Sequence, residues 1–121
     1  MVKSVRFQDI VAEKSSDTIT TYRLLTEKNG TTNGFCAGIT VYSSDLYNMP
    51  GVHEDQEGFY VLEGSGYALV NEEEIRLEEG TSLYVGKGIS HSIKRDENVI
   101  AINYDWCSSC WNISCSKSKK K

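Results

Sequence analysis

Histidine is nearly missing from this chain: of 121 residues, only His53 and His91 carry an imidazole. Long apolar runs are missing altogether. Nothing approaches the roughly 18 residues that a membrane-spanning helix needs, so no membrane partner is expected. The opening stretch, MVKSVRFQDIVAEKSSD, holds neither an uninterrupted apolar segment nor a small-residue cleavage site. No secretory signal is therefore expected, and a cytoplasmic location is the default. Also absent is any dozen-residue window with apolar side chains every three or four positions, which predicts little helix. Positive charge is scarce except at the very end. Four of the 13 basic residues stand in the last five, KSKKK, leaving 9 against 17 acidic ones, a body charge of −8. Such a body is repelled by phosphate backbones, which argues against nucleic acid as a partner. The lysine run reads as a solvated end.

What the chain does have is alternation. SVRFQDIV, TITTYRLL, GFCAGITVYS, GFYVLEG, GYALVN, EIRLE, TSLYVG, ISHSIKR and VIAINYDW are short and rich in Val, Ile, Thr, Tyr and Phe. Asn-Gly, Gly-Ser-Gly, Asn-Glu-Glu and Glu-Glu-Gly punctuate them, the pattern of strands joined by tight turns. Eight or nine such strands predict one antiparallel sandwich or barrel, and the length suits a single domain of about 100–200 residues. The barrel is expected over residues 1–106, with 107–121 a Cys/Lys-rich tail. Side chains two apart on a strand share a face. His53, Glu57, Phe59 and Val61 then form one inward row, Leu83, Val85, Ile89, His91 and Ile93 a second, and Phe35, Ala37, Ile39 and Val41 a third.

The spacing of these residues carries a resemblance. His53, Glu57 and Gly64 follow the end of the first motif of the cupin family, G-x5-H-x-H-x3,4-E-x6-G. Gly80, Gly88 and His91 follow the second, G-x5-P-x-G-x2-H-x3-N. The chain resembles a small single-domain cupin, which implies an all-β, antiparallel jelly-roll barrel. The departures are specific. Gly51 stands where the family's first histidine would be, Asp45 replaces the opening glycine, Gly86 the proline and Arg95 the asparagine. Three of the four metal ligands survive by resemblance: His53, Glu57 and His91. Two imidazoles and a carboxylate suit a divalent transition metal, whether Fe, Mn, Ni, Co or Zn. The resemblance thus implies a metal-binding cupin, an oxygenase, isomerase or lyase acting on a small polar organic molecule. The alternative is a sensor barrel that binds a small molecule without metal. Family habit implies a homodimer.

The remaining candidates are weaker. Glu54, Asp55, Asp45 and Tyr47 are possible fourth ligands, with water the simpler occupant. Phe59, Tyr67, Tyr84 and Arg95 are candidate pocket residues, Arg95 because it shares parity with His91. Cys107, Cys110 and Cys115 give C-x2-C-x4-C, one ligand short of a structural zinc site, and read as reduced thiols. Cys36 stands alone in a strand. Asn112 opens an N-I-S sequon, which matters only in an exported chain.

Overall fold

The computed structural model describes residues 4–52 and 54–107. Nine strands follow one another: β1 (Glu13–Ser16), β2 (Ile19–Leu25), β3 (Cys36–Tyr42), β4 (Gln56–Glu63), β5 (Gly66–Val70), β6 (Glu73–Leu77), β7 (Ser82–Val85), β8 (His91–Arg95) and β9 (Ile100–Cys107). Every pairing among them is antiparallel. They form a six-stranded sheet in the order β1-β2-β3-β9-β4-β7 and a three-stranded sheet in the order β6-β5-β8. This is the expected jelly-roll barrel. Helix is confined, among the described residues, to single 3-10 turns at Phe7–Asp9 and Glu27–Asn29, and no helix is long and apolar enough to cross a membrane.

The core lies between the two sheets, and alternation explains it. On β4, Glu57, Phe59 and Val61 are buried while Tyr60, Leu62 and Glu63 are exposed. On β9, Ile100, Ile102 and Tyr104 face inward, meeting Ala68 of β5, Leu77 of β6, Val85 of β7 and Ile93 of β8. Burying about ten side chains of this kind at roughly 1.5–3 kcal/mol each is the main term holding the sheets together. The turns are set by Gly64, Gly80 and Gly88, with φ of 85°, 88° and 73°. These are the three glycines of the motif spacing, and each sits where a side chain would be strained.

Three sequence expectations change. SVRFQDIV is not a strand: its Phe7 leaves the alternating register in a 3-10 turn and packs on Tyr22, with ring centroids 4.7 Å apart. β1, entirely exposed, carries no apolar alternation; it is held as an edge by pairing with β2. The row Ala37, Ile39, Val41 does not line the inside. Ile39 is the register partner of Tyr22, on the outer face where Phe7 packs. The inward row of β3 is Gly38, Thr40 and Tyr42, because the space behind this wall is a cavity rather than apolar core.

Asp96, in the β8–β9 turn, ties that turn to the β4–β5 turn and to strand β6. Its carboxylate accepts from Ser65 Oγ at 2.9 Å and from Arg76 Nη1 at 2.6 Å. The hydrogen bond from Arg76, then that from Ser65, hold the carboxyl below the usual range. A depressed carboxyl pKa stabilises the fold above the unfolded value and is lost as pH falls through the folded one. Asp96→Asn should therefore lower the urea midpoint at pH about 6, by an amount that shrinks as the pH is taken down through the acid range.

Candidate functional site

Two strands deliver the central pair. The pleat of β4 turns Glu57 inward, where it is 8% exposed. β8 brings His91 against it, with the imidazole Nε2 3.3 Å from Glu57 Oε1. The ring leans on Phe59, centroids 5.8 Å apart, and its Nδ1 lies 3.4 Å from the Ile89 carbonyl. Before β4, the chain crosses the start of β8: Gly51 N–H donates to His91 O at 2.8 Å, and His91 N–H to Gly51 O at 3.1 Å. Gly51 is thus the direct cross-strand neighbour of His91. A Cβ built on Gly51 would lie 3.8 Å from both Cε1 and Nε2 of that ring, an ordinary contact.

The pair opens into a cavity of about 330 Å³, lined by Thr21, Arg23, Thr40, Tyr42, Asp55, Glu57, Phe59, His91, Tyr104 and Trp106. That volume suits a small molecule. Burial, then the charge of Glu57, pushes the Tyr42 phenol well above its ordinary range. Burial raises that of Tyr104 as well, so neither phenol ionises even at moderately alkaline pH. A second cavity, about 650 Å³, adjoins the first through Arg23, Asp55 and Trp106 and continues to Ile10, Val11, Phe35 and Cys36. It is the larger, but the carboxylate–imidazole pair belongs to the inner one.

The family model for the cupin domain matches residues 48–104, which span the pair, the cavity's β4 and β9 walls and all three turn glycines. The chain carries a cupin domain. Among curated proteins no match was found. Solved structures agree on the fold. The polyketide cyclase RemF from Streptomyces resistomycificus is 19% identical with a TM-score of 0.74, covering 90% of this chain and 81% of that one. A predicted oxalate decarboxylase from Thermotoga maritima is 19% identical with a TM-score of 0.75, covering 88% and 98%. The hydroxypropylphosphonic acid epoxidase from S. wedmorenis is 16% identical with a TM-score of 0.74, covering 86% and 58%. At these identities the likeness is one of fold.

The cupin barrel brings some of the candidates together and separates others. Glu57, His91 and Phe59 meet in the inner cavity, while His53 lies outside the described residues. Asp55 reaches the mouth of both cavities. Glu54 is exposed and 3.7 Å from Lys87 Nζ. The remaining pocket candidates are directed elsewhere. Tyr67 has opposite parity to the buried Ala68 and packs under Arg76 and Lys94. Tyr84 is 65% exposed and donates to Gln56 Oε1 at 2.9 Å. Arg95 is turned to the Ser43 carbonyl, 2.7 Å from its Nε. Tyr47 donates to Glu74 at 2.6 Å on the small sheet's outer side. The cysteine tail beyond Cys107 lies outside the described residues; Cys107 itself closes β9 opposite Gln56. Sequence reasoning missed Thr21, Arg23, Thr40, Tyr42 and Trp106 as cavity residues. The T-x-R of β2 and T-x-Y of β3 were the available signal, as polar alternation facing across a pair of strands.

Among the described residues, no group of three His, Cys, Asp or Glu side chains converges; Glu57 and His91 are a pair. Their separation nevertheless suits a shared ion. Two donors each about 2.0–2.2 Å from one metal, at roughly a right to tetrahedral angle, stand about 3.0–3.5 Å apart. The observed 3.3 Å falls in that interval.

Proposed function

We propose that this cupin holds one divalent transition metal on Glu57, His91 and His53 and acts there on a small polar organic molecule. The observation that carries the reading is the buried carboxylate–imidazole pair, 3.3 Å apart, opening into a cavity of small-molecule size. When bound, the metal supplies Lewis-acid polarisation of a substrate oxygen, or an open position for oxygen chemistry. The chain's own residues do the rest. Phe59 fixes the His91 ring by packing against it. Tyr42 and Tyr104, neutral phenols, present O–H donors to whatever occupies the cavity. Trp106 adds an apolar face to the cavity lining.

The test is metal content of the full chain purified without added metal, with thermal stability measured on adding Fe, Mn, Ni, Co or Zn. One equivalent per chain, or a rise in melting temperature with one of these, is expected. No metal and no stabilisation by any of them sinks the reading and favours a barrel that binds its small molecule without metal.

Gly51→His probes the geometry further. Gly51 lacks the positive φ that would strain a side chain, and its Cβ would have room beside the His91 ring. A histidine there should add a ligand and tighten metal binding by about tenfold, 1.4 kcal/mol. It also fills an open position, so oxygen-dependent turnover should fall while affinity rises. Unchanged affinity in a folded variant would remove residue 51 from the site.

A further inference from the structure

Besides Tyr42 and Tyr104, the wall facing Glu57 and His91 carries polar side chains from β2 and β3. Thr21 and Thr40 are cross-strand partners on β2 and β3, and Tyr42 stands two residues further along β3. Tyr104 reaches in from β9 over Gly38, its register partner, whose missing side chain makes room for the ring. All four line the inner cavity. None of the four hydroxyls is hydrogen-bonded to another described residue, although Thr40 is 8% and Tyr104 5% exposed. The four residues line the cavity, where a ligand's oxygens can pair with their hydroxyls. Arg23 completes the wall as the other register partner of Gly38. Its Nε donates to Glu13 Oε1 at 3.2 Å, which steadies the side chain. Its two terminal nitrogens make no hydrogen bond to another described residue, and it borders both cavities.

We infer that the cavity takes a small hydroxylated carboxylic acid, with its carboxylate on Arg23 and its hydroxyl or carbonyl oxygens on Thr21, Thr40, Tyr42 and Tyr104. This shares the cavity of the proposed function and deepens that reading through residues other than the metal ligands. A guanidinium is a planar fork that matches a carboxylate with two parallel hydrogen bonds. One arginine, in a lining that also holds Asp55 and Glu57, suits a singly charged group better than a phosphate dianion. Hydroxyls both donate and accept, so four of them recognise several oxygens of one ligand.

The test titrates the full chain, metal-stripped and zinc-loaded, with malate, tartrate and gluconate, followed by amide NMR shifts. Succinate, which lacks the hydroxyl, and glycerol, which lacks the carboxylate, are the controls. At least one hydroxy acid should bind, more tightly than both controls. Arg23→Gln should weaken it about tenfold or more. Tyr42→Phe and Thr40→Val keep the shape and should each reduce the preference over succinate about threefold to tenfold. Equal affinity for acids and controls, no binding by any hydroxy acid, or indifference to Arg23→Gln overturns the inference. Metal content measured on the same samples separates the two proposals. A chain that takes no metal yet shows this pattern loses only the metal site. One that takes metal but does not discriminate among the probes loses only the hydroxy-acid assignment.

Discussion

Gly66→Ala is expected to cost the fold about 3 kcal/mol or more, while Gly58→Ala, eight residues earlier, leaves it unchanged or slightly more stable. Gly66 opens β5 between Leu77 of β6 and Arg95 of β8. A Cβ there would be driven into the Lys94 carbonyl oxygen and would stand 3.0 Å from the Lys94 carbonyl carbon and the Arg95 Cα. The obstacle is backbone, held by the β5–β8 ladder, so relief requires the two strands to separate. Around Gly58 a Cβ would meet nothing within 4 Å, and no positive φ stands in the way. There alanine only narrows the unfolded ensemble, a gain of about 0.4–1 kcal/mol. Urea unfolding of the two variants decides it. A domain of this size has roughly 5–15 kcal/mol in hand, so the first should be visibly destabilised. If Gly66→Ala unfolds at the parent's midpoint, the close approach of β5 and β8 is wrong.

This contrast shows what the sequence made legible. The alternation of β4, β5, β6, β7 and β9 was readable because each of those strands has apolar core on one side, so burial follows parity; on β8 it does not, since Ser92 is buried beside Ile93 under Asn48. The motif glycines 64, 80 and 88 were readable from spacing, and the reason is their positive φ. Gly66 was not, since its constraint comes from a carbonyl 28 residues away in sequence. On β3 the same parity rule failed. Its inward side borders a cavity, so Thr40 and Tyr42 occupy positions that looked like an outer face, and the more apolar Ile39 and Val41 turn outward. β1 was invisible because an exposed edge strand needs only backbone pairing. Of the candidate site, the approach of Glu57 and His91 follows from motif spacing on two strands. Arg23 and Thr21 sit on β2, outside either motif, and only the β2–β3–β9 register brings them to the same cavity.

His91→Ala should lower metal affinity on the order of 100-fold or more, since even residues that merely support a ligand are worth about 10–100-fold. The fold should survive. His91 is held in β8 by its backbone, through both hydrogen bonds to Gly51, and these do not involve the ring. Losing the ring's packing on Phe59 should cost about 1–3 kcal/mol, visible as a lower melting temperature without loss of cooperativity. Glu57→Gln, which keeps the size and removes the charge, should weaken metal binding comparably. The informative variant is the double one. If Glu57 and His91 hold the same ion, the first substitution already forfeits most of the binding, and the second should add much less than its single-variant cost. If the two losses add in full, or if His91→Ala keeps the parent's metal content, then the 3.3 Å pair is an internal ion pair of the barrel wall and the ion sits elsewhere. Equilibrium competition against a chelator, run on all four proteins, distinguishes these outcomes.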